Sequence, residues 1–193
     1  MELFSETFQE RISLRMPTGT LRKYVLLIAG VVLALDRLSK WIIAKTIPLH
    51  DSVTVIPGLF KLTHVTNGGA AFGLFSESPS ELRIVFLIFF SLLALVVVSA
   101  LLWRHTQGLN STAFALSLIL GGALGNLWDR VLSGHVVDFL EFFIGQYVWP
   151  DFNIADSAIV VGAAILMVEI LFAPKHQKAY EESVLPQPSS EAD

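Results

Sequence analysis

The chain has 193 residues, of which 53% are hydrophobic and only 16% charged, with a mean hydropathy of +0.63. Soluble domains carry about 25% charged residues, so an ordinary water-soluble globule is excluded and membrane spans become the unit of counting. The net charge of -4 argues against a nucleic-acid partner, which needs a clustered basic face. With no cysteine present, disulfides, thiolate nucleophiles and cysteine metal sites are all removed.

The first twenty residues, MELFSETFQERISLRMPTGT, contain acids and no apolar core. They do not read as a cleaved leader, and residues 1–21 are expected to be a short cytoplasmic tail. A helix crossing the hydrocarbon needs about 20 mainly apolar residues. Four stretches come close to it: Tyr24 to Ile47, Leu82 to Trp103, Ala113 to Leu132 and Ile154 to Phe172, of which the second holds the uncharged run IVFLIFFSLLALVVVSALLW and the other three carry acid or base near one end. They predict an all-α membrane protein of four transmembrane helices over 22–173, with both termini on one side.

Lys and Arg set the side. Arg11, Arg15, Arg22, Lys23, Arg104, Lys175 and Lys178 fall on the side of the termini, against Lys45, Lys61, Arg83 and Arg130 opposite. The positive-inside tendency therefore places the termini in the cytoplasm. Two segments then lie outside. In 48–81, SVTVIPGLFKLTHVTN is rich in β-branched residues and reads as two short strands turning at Pro57-Gly58. In 133–153, VVDFLEFFIG is apolar enough to lie in the interface as a helix-like loop. The tail 174–193, ending PQPSSEAD, has the composition of a disordered segment.

An ionisable group inside a span costs about 2.5–3.5 kcal/mol at mid-membrane, and this sequence gathers such groups at the outer helix ends. The first span contains LALDRLSKW, with Asp36 and Lys40 four apart on one face. At ~1.5 Å per residue Asp36 lies past the bilayer midpoint. The pair reads as a structural ion pair fixing helix packing, with a direct catalytic role as the alternative. The third span ends GGALGNLWDRVLSGHVVDF, where Asn126, Asp129 and Arg130 share a face. Gly121 and Gly125 form a small-xxx-small pair suited to close helix packing. Arg130 could hold a substrate carbonyl or pair with Asp129, since a guanidinium suits both tasks.

Asp138 follows among apolar neighbours, and Asp156 stands at the start of the fourth span, in FNIADSAIV. An acid at a helix start is commonly only a cap or dipole partner. Two acids from different segments at one membrane face, beside Asn and Arg, suggest a site. Two carboxylates sharing a proton can supply both the base that activates water and the acid that protonates a leaving amine. Burial favours the neutral acid at Asp138, and the helix N-terminus favours the carboxylate at Asp156. The five histidines form no metal-ligand spacing, and His135 with Asp138 lacks a convincing third ligand. No GxSxG, Ser–Lys arrangement or P-loop is present. No metal and no cofactor is expected.

These blocks resemble the lipoprotein signal peptidases, or signal peptidase II, from about Arg22 to Phe172. The likeness rests on DRLSK (Asp36 to Lys40), NGGAAFG (Asn67 to Gly73), GGALGNLWDRVLSGHVVDF (Gly121 to Phe139) and FNIADSAI (Phe152 to Ile159). It implies an aspartic endopeptidase of the bacterial cytoplasmic (inner) membrane, with its site near the outer, periplasmic face. The substrates would be prolipoproteins carrying a diacylglyceryl-modified cysteine, cut just before that residue. Asp138 and Asp156 match the catalytic pair. Asn67, Asn126, Arg130 and Asn153 match polar positions that hold substrate and orient the carboxylates. Asp129 matches a supporting acid, and Asp36 with Lys40 the first-helix signature. Gly68, in the small and flexible NGGAAFG stretch, would let a substrate backbone approach. Membrane lipids are the other expected partners, and cyclic peptide antibiotics such as globomycin the expected inhibitors.

Overall fold

The computed structural model describes residues 18–69, 80–104 and 110–172. The expected tails (1–17 of the first, and all of 174–193) and the 70–73 part of NGGAAFG lie outside the described residues. Four helices are present: α1 (Thr18–Thr46), α2 (Ser80–Arg104), α3 (Ser111–Ser133) and α4 (Ile154–Phe172). Three stretches, Leu82–Arg104, Ser111–Ser133 and Ile154–Phe172, are long and apolar enough to cross a membrane. In α1 the apolar run is interrupted by Asp36, Arg37 and Lys40.

Between α1 and α2 lie β1 (Ser52–Ile56) and β2 (Phe60–Asn67), and between α3 and α4 lie β3 (Val136–Ile144) and β4 (Tyr147–Phe152). They form one antiparallel sheet in the order β1-β2-β3-β4. The expectation of an all-α protein is thereby corrected, as is the helix-like loop over 133–153. The reason is pairing. β2, already expected as a strand, offers a free edge, and VVDFLEFFI satisfies its backbone on that edge instead of internally. The turn at Pro57-Gly58 is present, with Gly58 at φ 73°, a left-handed conformation that suits glycine.

The helices approach closely where side chains are absent. A Cβ on Gly121 would lie 2.7 Å from the Ala29 carbonyl oxygen of α1, and one on Gly125 would lie 2.6 Å from Asp36 Oδ2. Gly122 sits against the Ala155 carbonyl, and a Cβ on Gly162 would lie 2.6 Å from the Ala115 carbonyl. The first two glycines seat α1 on α3, and the last two seat α4 on α3. The packing reading of Gly121 and Gly125 thus agrees with the structure. Asn110 caps the start of α3 by accepting from Ala113 N at 2.8 Å, and Gly134 ends it at φ 72°.

One apolar cluster, Val25, Val98, Leu102, Ala113 and Leu116, joins α1, α2 and α3 at the end remote from the sheet. A second, Ile43, Ile47 and Phe139, fastens the end of α1 to the sheet. Outward-facing residues such as Leu27, Val31, Leu93, Val96, Val160 and Ile170 are large, apolar and exposed, as hydrocarbon-facing surfaces require.

Candidate active site

The site forms where the sheet meets the start of α4. In β3, Asp138 pairs across from Val65 of β2. Asn67, two residues farther along β2, points to the same sheet face and reaches Asp138 diagonally. Its Nδ2 donates to Asp138 Oδ2 at 2.9 Å. The other carboxylate oxygen of Asp138 accepts from Asn153 Nδ2 at 2.7 Å.

Asn153 is also the N-cap of α4. Its Oδ1 accepts from Asp156 N at 3.0 Å, and Asp156 Oδ2 accepts in return from Asn153 N at 3.3 Å. This reciprocal exchange is a capping box, and it fixes Asp156 in the first turn. The remaining oxygen of Asp156 accepts from Asn126 Nδ2 of α3 at 2.7 Å. Asn153 therefore contacts both aspartates, one through its side chain and the other through backbone and cap.

A layer of buried charge supports these groups. Asp36 is wholly buried; its Oδ1 accepts from Ala155 N at 3.0 Å, in the first turn of α4. Its Oδ2 accepts from Lys40 Nζ at 2.8 Å. Lys40 reaches Asn126 Oδ1 at 3.3 Å and lies 2.7 Å from Asp129 Oδ2, an ion pair that misses hydrogen-bond geometry. Arg37 donates to the other oxygen of Asp129. Asp36 and Asp129 are thus neutralised by Lys40 and Arg37, as buried charges must be. The Asp36–Lys40 ion pair is present, one helix turn apart.

Arg130 does not take Asp129. That carboxylate is occupied by Arg37 and Lys40, and Arg130 Nη1 donates instead to the Asn126 carbonyl at 3.4 Å. Arg130 Nε is buried without a partner, within electrostatic reach of Asp156, Asp138 and Asp129. Arg37 is the site-supporting residue that the sequence reading missed. Its only signal was adjacency to Asp36 in DRLSK, because its partner lies 92 residues away. Gly68 stands beside the Arg83 guanidinium.

The two acids occupy unlike environments. Asp138 is 3% exposed, and burial pushes its carboxyl up to about 6. The Asn67 hydrogen bond opposes that rise, the negative charge of Asp156 adds to it, and Asn153 and Lys40 oppose it again. Asp156 is only half-buried, which leaves it open to water. A buried acid beside an accessible carboxylate can perform general acid–base chemistry. Among the described residues no group of three or more His, Cys, Asp or Glu is placed to hold a metal ion.

The family model described as Signal peptidase (SPase) II matches residues 28–172. A lipoprotein signal peptidase of Solibacter usitatus is 43% identical over 152 residues, covering 79% of this chain and 92% of that protein. One of Desulforapulum autotrophicum is 43% identical over 146 residues, covering 76% and 90%. A solved structure described as a bacterial membrane enzyme determined by the in meso method superposes with a TM-score of 0.70. It is 32% identical and covers 86% of this chain and 95% of its own.

Proposed function

The chain belongs to the signal peptidase II family, and from that premise we propose that it is an aspartic endopeptidase in which Asp138 and Asp156 activate water. The substrates are prolipoproteins bearing a diacylglyceryl cysteine, cleaved just before that residue. The observation that carries the reading is the convergence of Asp138 and Asp156 on Asn153. One residue orients both carboxylates, which arrive on separate elements.

In this reading Asp156 is the base. It takes a proton from a water molecule, whose oxygen attacks the scissile carbonyl carbon. Asp138 carries the shared proton and gives it to the nitrogen of the lipidated cysteine as the C–N bond breaks. Arg130, with unused donors beside both acids, holds and polarises the carbonyl. Asn67, Asn126 and Asn153 orient the carboxylates and the substrate backbone. Asp36, Lys40 and Asp129 hold α1, α3 and α4 in register beneath them, and Gly68 lets the substrate backbone approach.

All four helices cross the bacterial cytoplasmic membrane in this reading, α1 included, because its Asp36 and Lys40 face protein and not lipid. The site then opens at the outer face, where a lipid-anchored substrate and water can meet. Cyclic peptide antibiotics of the globomycin type would compete for the same place.

The test is cleavage of a diacylglyceryl-modified prolipoprotein peptide by purified protein in detergent. Wild type should cut before the modified cysteine. Asp138→Asn and Asp156→Asn should each lose at least about a thousandfold in kcat, with thermal melts showing both folded. Folded variants that retain most activity would make the aspartates structural.

A further inference from the structure

Where β2 ends, the start of α2 lies against it. A Cβ on Gly68 would stand 3.5 Å from a terminal nitrogen of Arg83. The guanidinium therefore rests on the backbone one residue beyond Asn67, which bonds Asp138. The neighbouring Ile84 would come within 3.3 Å of a Cβ on Gly134, the residue that caps α3 through the Arg130 carbonyl. The start of α2 thus reaches the residues that follow β2 and α3, next to the site.

Arg83 brings five N–H donors and no acceptor. Its Nε is shielded from solvent without a hydrogen-bond partner. Among the described residues every ion pair is made by other side chains. A desolvated donor is costly when no acceptor meets it, and a guanidinium cannot shed its charge to escape that cost. An acceptor brought in from outside would resolve it.

The surroundings narrow what that acceptor is. Phe86, Phe90 and Val97 follow Arg83 on its own face of α2, three, seven and fourteen residues on, and are all exposed, in an apolar stretch of mean hydropathy 3.1. A donor fork at the head of an exposed apolar stripe matches the form of a diacylglycerol, with ester carbonyls above and acyl chains below. We propose that Arg83 is a substrate-binding residue that hydrogen-bonds the ester carbonyl oxygens of the diacylglyceryl group, whose chains run down the Phe86–Phe90–Val97 face. This rests on the peptidase reading above. In that reading the modified cysteine supplies the scissile nitrogen, so its glyceryl esters lie a short thioether link from the dyad. Arg83 rests on Gly68, the residue next to Asn67, which bonds Asp138. Recognition of the lipid and placement of the bond to be cut are then parts of one contact surface.

The test compares two prolipoprotein peptides in phospholipid-free detergent. One carries the diacylglyceryl group, and the other a dialkylglyceryl group of equal chain length, whose ether links have no carbonyl oxygens. Wild type should show a KM about tenfold higher for the ether peptide, as loss of a charge-assisted hydrogen bond implies, with kcat changed much less. Arg83→Ala should raise KM for the ester peptide by the same factor and no longer distinguish the two. Arg83→Lys, which keeps charge without the planar fork, should recover part of the preference. Three results would overturn the proposal: wild type cutting both peptides with equal KM, Arg83→Ala preserving the ester preference, or Arg83→Ala lowering kcat alone on both. A defect seen only when phosphatidylglycerol is added would also overturn it, assigning Arg83 to a phospholipid phosphate. The wild-type ester-to-ether ratio stands even if a variant fails to fold. Should wild type cut neither peptide, the peptidase reading falls, which is a different outcome from losing the distinction between them.

Discussion

Asp138 and Asp156 differ less in chemistry than in what surrounds them. Asp138 is sealed under the sheet and held by two amide donors; Asp156 is held by its own helix cap and by Asn126, with one side open. Burial raises Asp138 from 3.8 to about 6, so the folded enzyme retains that proton below pH 6 and releases it above. If the protonated form is the working acid, kcat/KM for the free enzyme should fall above about pH 6, approaching tenfold per pH unit. The limb belongs to the coupled pair and not to one residue alone. Its position can nevertheless be moved in a known direction. Asn67 donates to the ionised form and so lowers the pKa; Asn67→Ala removes that donor, the proton is held more tightly, and the limb should move to higher pH. A pH–rate series on both proteins checks this. A limb that stays in place while the rate drops would mean that another group sets it.

At the scale of elements, Asn153 at the start of α4 caps the helix and, in the proposed mechanism, also orients an acid. Its Oδ1 caps the helix and its Nδ2 holds Asp138. Serine is as good a cap as asparagine but lacks the amide donor. Asn153→Ser should therefore melt within about 1 kcal/mol of wild type while losing roughly a hundredfold or more in kcat. Asn153→Ala should lose activity and also about 1 kcal/mol of stability. If serine restored both, the contact with Asp138 would be incidental. The sequence showed α4 from Ile154 to Phe172 because an uninterrupted apolar run has no other plausible reading, and it showed the β1–β2 turn because Pro57-Gly58 interrupts a β-branched stretch. The strand β3 was hidden. VVDFLEFFI has apolar residues on both faces, so it lacks the alternation that distinguishes a strand from an interfacial helix. Its partner β2 precedes it by some 70 positions with two helices between. For the same reason Asp36 was legible as half of a local ion pair with Lys40 but not as a cap on α4, 119 positions away. Asp129 invited pairing with its neighbour Arg130, when tertiary structure supplies Arg37 and Lys40 instead.

For the whole molecule, the sheet decides how the helices stand. β2 follows α1 and β3 follows α3, and the two strands pair, so α1 and α3 end at the same side of the molecule. At the opposite side Arg22, in α1, lies 4.9 Å over the ring of Trp103, near the end of α2. Residue 110, which caps α3, is only six positions beyond Arg104. The helices therefore alternate up and down, and the shortest, 19 residues, spans about 28 Å at ~1.5 Å per residue, close to the thickness of a bilayer core. If α1 crosses with the rest and the termini stay inside, the whole sheet faces outward. The chain contains no cysteine, so single cysteines can report this directly. Thr54→Cys on β1 and Gln146→Cys in the β3–β4 turn, both exposed, should react with a membrane-impermeant maleimide in spheroplasts. Arg104→Cys at the end of α2 should react only after lysis. Labelling of Arg104→Cys alone in intact spheroplasts would invert the protein. Labelling of all three would mean that α2 does not cross, and the dyad could not then stand at the outer surface, where a lipid-anchored substrate meets water.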